Sequence, residues 1–96
     1  MKLTTAANEI LKFMIIEYSK SNKKTFNFDE IQSVVSNKEL ANDALSLLSN
    51  DQLIRIEYAD NIPYLIFLKL NAVRESEQNS KLKQVYEFLK EIRSWI

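Results

Sequence analysis

Glycine, cysteine and histidine are all missing from this chain of 96 residues, and proline occurs once. Without cysteine there are no disulfide staples and no thiolate metal sites, which fits the reducing cytosol. Without histidine as well, the commonest nucleophile–base pairs and nearly all zinc sites are out of reach. The lack of glycine is rarer and excludes more. P-loop and dinucleotide cradles need close backbone approach and positive φ angles, so neither fingerprint is present. Asparagine must then supply the left-handed turn positions, and Asn22, Asn50, Asn61, Asn71 and Asn79 all fall between periodic segments. No apolar run approaches the length of a membrane span, and the amino end, Met1-Lys2-Leu3-Thr4-Thr5, lacks the long apolar stretch of a signal peptide. The expectation is a cytoplasmic protein with no membrane partner, no metal and no cofactor.

Charge of one sign is missing too: thirteen basic and thirteen acidic residues cancel. A committed nucleic-acid binder usually carries a basic surplus, so neutrality counts against that class without excluding it. What remains is an ordinary globular balance, 46% hydrophobic and 27% charged, in a length that suits one domain spanning 1–96. A core this modest often leans on a partner.

Periodicity divides the chain. Over residues 3–20, Ile10, Leu11, Met14, Ile15 and Tyr18 follow the three- and four-residue steps of a helix, with Phe13 and Ile16 as a second apolar edge. This reads as a central helix buried on most sides rather than as a separate binding stripe. Residues 20–24 then form a polar loop.

Two capping signatures follow. Asn27 and Glu30 make a capping box flanked by Phe26 and Ile31 as a staple, and Ser36 and Glu39 repeat the device with Val35 and Leu40. The first predicts a short helix over 28–35. The second predicts a helix over 37–50 that buries Leu40, Ala41, Ala44, Leu45, Leu47 and Leu48. Helix, tight turn, helix is the geometry of a helix-turn-helix.

Beyond Asp51 the period becomes two. Ile54, Ile56 and Tyr58 alternate with Arg55 and Glu57, and residues 59–63 are a turn cluster in which Pro63 marks the next strand's start. The return strand over 64–70 puts Tyr64, Ile66, Leu68 and Leu70 on one face. Leu65 and Phe67 on the other face are apolar as well, so the last helix or a second chain should cover them. Residues 71–80 read as a loop or as the solvated start of the last helix. Over 81–96 the helical period returns in Leu82, Val85, Leu89, Ile92 and Ile96, with Tyr86, Phe88 and Trp95 beside them. That segment packs on its own domain or serves as a dimerisation helix.

The predicted architecture is α+β, mostly α: three helices, a two-stranded β-hairpin wing and a C-terminal helix, the layout of a winged helix. Within it, Tyr58, Asp60, Pro63 and Leu65 on the hairpin and Lys90, Glu91, Ile92, Trp95 and Ile96 in the tail resemble the YjcQ-like family of small phage-associated winged helices found in Firmicutes. The likeness covers roughly residues 47–96. It implies the architecture and a phage-related setting, and it assigns no site. Abundant Lys, Asn and Ile with no Gly also suit a low-GC bacterial or phage genome.

The leading functional expectation is a winged-helix DNA-binding protein, a transcriptional regulator on duplex DNA. Asn37, Lys38, Asn42 and Ser46, with Ser49 at the margin, would face the major groove from the second helix of the pair. Lys20, Lys23, Lys24 and Arg55 would anchor phosphates, helped by the amino end of the helix at Phe28. The bland alternative for the lysine loop is solvation beside a helix end. Glu39, Asp43, Asp51 and Asp60 oppose those cations, and DNA affinity draws on roughly 0.9 released counterions per neutralised phosphate. The rival expectation is a protein-docking or dimerisation module, most simply a homodimer, with Leu65, Phe67, Phe88 and Trp95 at the interface. Enzyme chemistry is not expected: the best carboxylate pair, Glu57 and Asp60, would sit near an exposed hairpin tip with no pocket.

Overall fold

A computed structural model describes residues 1–78 of the chain. They form a mixed α+β fold, mostly helical. The order is α1 (Leu3–Ser21), β1 (Thr25–Asn27), α2 (Phe28–Gln32), α3 (Lys38–Asn50), β2 (Ile54–Ala59), β3 (Ile62–Leu68) and α4 (Leu70–Gln78). The helix expected over 81–96, with Phe88 and Trp95, lies outside the described residues.

Helix α1 is the spine of the core. Ala6, Ala7, Ile10, Leu11, Met14 and Ile15 are all buried on one broad face, while Phe13, Ile16 and Tyr18 pack half-buried beside it. Asn22, at φ 59°, ends the helix by sending its amide to the Tyr18 carbonyl at 2.8 Å. An asparagine in the left-handed region costs little, which is why it stands where glycine is absent.

The capping box at Asn27 is complete. Asn27 Oδ1 accepts from the Glu30 amide at 2.8 Å, and Glu30 Oε1 accepts from the Asn27 amide at 3.1 Å. Helix α2 stops at Gln32, short of the expected 28–35, because Ser33 turns its hydroxyl onto the Glu30 carbonyl and leaves Val34 and Val35 in a closing turn on Ile31.

The second box is corrected by one residue. The cap of α3 is Asn37, whose Oδ1 accepts from the Leu40 amide at 2.9 Å, and no box joins Ser36 to Glu39. An amide side chain at Asn37 reaches the third amide of the helix as well as a Ser36 hydroxyl would reach one residue earlier. Helix α3 ends in a Schellman motif. Leu53 N donates to Leu48 O at 3.1 Å, Gln52 N donates to Ser49 O at 3.0 Å, and the Leu48 and Leu53 side chains are buried at its centre. The left-handed seat there belongs to Gln52, φ 64°, so the expected turn role of Asn50 is overturned: Asn50 is the last helical residue. Asn71 is likewise helical, inside α4, where its side-chain amide donates to the Gln52 carbonyl at 3.0 Å.

The hairpin is part of a larger sheet. Three antiparallel strands run in the order β1-β3-β2, so the return strand is central and Thr25–Asn27, where only the staple and cap of the next helix were expected, is its second neighbour. Phe26, Ile66 and Ile56 lie side by side in one row facing the helices, with Ile54 and Leu68 in the next. Phe26 also meets Phe13 of α1 with ring centroids 5.6 Å apart. Each such buried side chain stabilises the fold by about 1.5–3 kcal/mol relative to exposure.

A β-bulge explains a misread face. Glu57 pairs with Leu65 but Tyr58 pairs with Pro63, so Tyr64 is an extra residue in β3. The bulge moves Tyr64 off the inward row: it is 61% exposed, whereas Pro63 is buried. The strand begins at Ile62, and Pro63 is tolerated in a central strand because β1 ends opposite Leu65, so among the described residues no ladder runs on that side. Leu70 has left the sheet to begin α4.

Candidate interaction surfaces

The residues expected to read bases divide on α3. Asn37 is engaged as the helix cap, which points its carbonyl oxygen at its own backbone rather than outward. Lys38 and Ser46 are exposed and Asn42 is half-buried. The outward ridge, where residues recur every three or four positions, consists of Glu39, Asp43, Ser46 and Asn50, all exposed. Lys38, Asn42 and Ser49 flank that ridge on one side. The crest therefore carries two negative charges where a phosphate backbone would have to approach.

The phosphate candidates are scattered and half of them are spent. Lys23 forms an ion pair with Glu30 and its ammonium lies 5.1 Å from the Phe26 ring centroid. Its side-chain hydrogen bond is the main reason the Glu30 carboxyl is held below its ordinary value, with the Asn27 amide helping and partial burial opposing. Arg55 bonds Glu57 at 2.9 Å and lies 4.1 Å over the Phe67 ring. Lys20 and Lys24 are exposed, and among the described residues neither they nor Lys38 take part in an ion pair. The sheet register fixes where Lys24 is: its carbonyl accepts from the Leu68 amide at 2.8 Å, at the far end of β3 from the hairpin turn. At about 3.3 Å per residue, the seven-residue strand puts roughly 20 Å between this loop and the ribbon tip.

The ribbon tip has a different chemistry. Asp60 (φ 53°) and Asn61 (φ 63°) form the tight turn, both left-handed, which matches the twist of a two-residue hairpin. Around it Tyr58 is 58% exposed, Ile62 46% and Tyr64 61%. The tip has no Lys or Arg. Sequence reasoning placed Tyr58 and Tyr64 on an inward face and so missed this cluster; the bulge that turns Tyr64 outward leaves no mark in hydrophobic alternation.

The expected interface pair Leu65 and Phe67 lies on the outer sheet face, half-buried, and Arg55 roofs Phe67 there. Between the start of α1 and the end of α3 an open groove of about 190 Å³ is lined by Thr4, Ala7, Asn8, Leu47, Leu48, Asp51 and Leu53. That is smaller than the roughly 300–1,000 Å³ usual for ligand pockets. Among the described residues no group of acidic side chains is placed to hold a metal ion, and no helix is long and apolar enough to cross a membrane.

In comparisons with protein-family models, curated proteins and solved structures, nothing matches this chain.

Proposed function

We propose that this chain is a winged-helix domain used as a protein-docking or dimerisation module rather than as a reader of DNA. The winged-helix reading is supported by the α2–turn–α3 pair leading into an antiparallel ribbon whose return strand also pairs with β1. The resemblance to the YjcQ-like proteins supports it too, since Tyr58, Asp60, Pro63 and Leu65 all sit on that ribbon.

One observation carries the choice of function. The ribbon tip offers Tyr58, Ile62 and Tyr64 to solvent with an acidic turn and no cation, the composition of a protein interface and the opposite of a phosphate-tracking wing. The acidic crest of α3 points the same way. Titration with duplex DNA at low salt tests this. We expect no saturable binding; binding that weakens steeply with salt and disappears in a Lys20→Glu/Lys24→Glu variant refutes the docking reading.

DNA binding stays the second reading because Lys20, Lys24 and Lys38 are exposed outside any ion pair among the described residues. In that case Lys38, Asn42 and Ser46 would contact base edges, and the phage-related transcriptional role would follow.

A further inference from the structure

Strand β2 is an edge: the sheet order ends with it, and among the described residues no strand pairs with its outer side. Edges of this kind are usually blunted by a bulge, a proline or a charge turned inward. Here the bulged residue and the proline both belong to β3, so β2 keeps a regular spacing from Ile54 to Ala59.

The side chains along β2 read apolar, positive, apolar, negative, apolar: Ile54, Arg55, Ile56, Glu57, Tyr58. That pattern is complementary to its own reverse. In an antiparallel pair about a two-fold axis at Ile56, Arg55 stands opposite the partner's Glu57, Glu57 opposite the partner's Arg55, and Ile56 opposite the partner's Ile56. Tyr58, more than half exposed in the single chain, faces the partner's Ile54. Residues directly opposite in an antiparallel ladder share a face, so only registers that keep like faces together are open to the strand. Centring on Arg55 sets two guanidinium groups against each other, and centring on Glu57 does the same with two carboxylates. Both are destabilising. The Ile56-centred register alone satisfies both charges. The zero net charge of the chain adds no long-range repulsion between copies.

We propose that two copies of this chain associate through their β2 edges, joining two three-stranded sheets into one of six. This rests on the docking reading and names its partner as a second copy. Arg55 and Glu57, whose side chains are 57% and 49% exposed and already bonded to each other, would then form an alternating four-charge row across the junction.

The test is a charge-reversal series on the full chain, read by sedimentation equilibrium at micromolar concentrations with circular dichroism to check folding. The wild-type protein should give twice the 11.3 kDa chain mass. Arg55→Glu alone and Glu57→Arg alone should each weaken self-association roughly tenfold, through two like-charged pairs per dimer. An equimolar mixture of the two variants should associate as well as the wild type, because each then meets the opposite charges. The double reversal should do so as well. A single-chain mass for the wild type, or a dimer indifferent to both single reversals, overturns the proposal. A single-chain mass with no DNA binding leaves the docking reading standing and this partner excluded, whereas DNA binding defeats the docking reading whatever the mass.

Discussion

Replacing one asparagine and its neighbouring serine separates two accounts of how α3 begins. The capping pattern of the sequence puts the cap at Ser36, whereas in the structure Asn37 Oδ1 accepts from the Leu40 amide at 2.9 Å. Asn37→Ala therefore leaves that amide without its partner at the start of a thirteen-residue helix that supplies four residues to the core. The expected cost is about 1 kcal/mol, within the roughly 0.5–2 kcal/mol measured for caps. Ser36→Ala removes an exposed hydroxyl that caps nothing, so its cost should stay within about 0.5 kcal/mol. Urea unfolding followed by circular dichroism resolves the two. With a slope of about 1 kcal/mol/M for a domain this small, the Asn37→Ala midpoint should fall by about 1 M and the Ser36→Ala midpoint should hardly move. On heating, the same loss lowers the melting temperature by about 4–8 °C. Equal losses in the two variants would refute the assignment of the cap and, with it, the account of where the turn between α2 and α3 ends.

The remaining predictions concern the core, a turn and pH. Ile66→Ala empties the centre of the row shared with Phe26 and Ile56 and should cost about 2–5 kcal/mol, enough to populate the unfolded chain in a thermal melt. Gln52→Gly relieves a left-handed residue and gives up only the exposed hydrogen bond its side chain accepts from Lys69 Nζ at 3.2 Å, so it should raise the urea midpoint by the equivalent of about 0.5 kcal/mol. Because the Glu30 carboxyl is held below its ordinary value, its stabilisation is present at neutral pH and is lost as pH falls through that depressed value. Glu30→Gln keeps a capping-box partner but removes the ion pair with Lys23, so it should flatten this acid limb in a pH series of melts.

What the sequence made legible was local. Helix α1 follows from its own periodicity, and the box at Asn27 follows from residues three apart, because both signals are written within a turn or two of backbone. The β1 strand was not legible: Thr25, Phe26 and Asn27 alternate over too few positions to register, and they become a strand only because β3 lies beside them. The bulge at Tyr64 was hidden for the same reason, since it is a property of the pairing between two strands and not of either alone. The candidate surfaces suffered most. Lys23 and Arg55 look like free cations in a sequence and are ion-paired in the fold, and the crest of α3 is set by which face Ala41, Ala44, Leu45 and Leu48 bury.

The placement of β3 between β1 and β2 also governs when the fold can exist. The two outer strands never touch each other, so a nascent chain that has reached Ala59 holds both rims of a sheet and nothing to join them. Phe26, Ile54 and Ile56 lack their shared strand neighbour until β3 emerges, which makes closure of the sheet a late step over a long stretch of chain. Fragments ending before Ile62 should accordingly be targets for chaperones and proteases, however well their helices are capped.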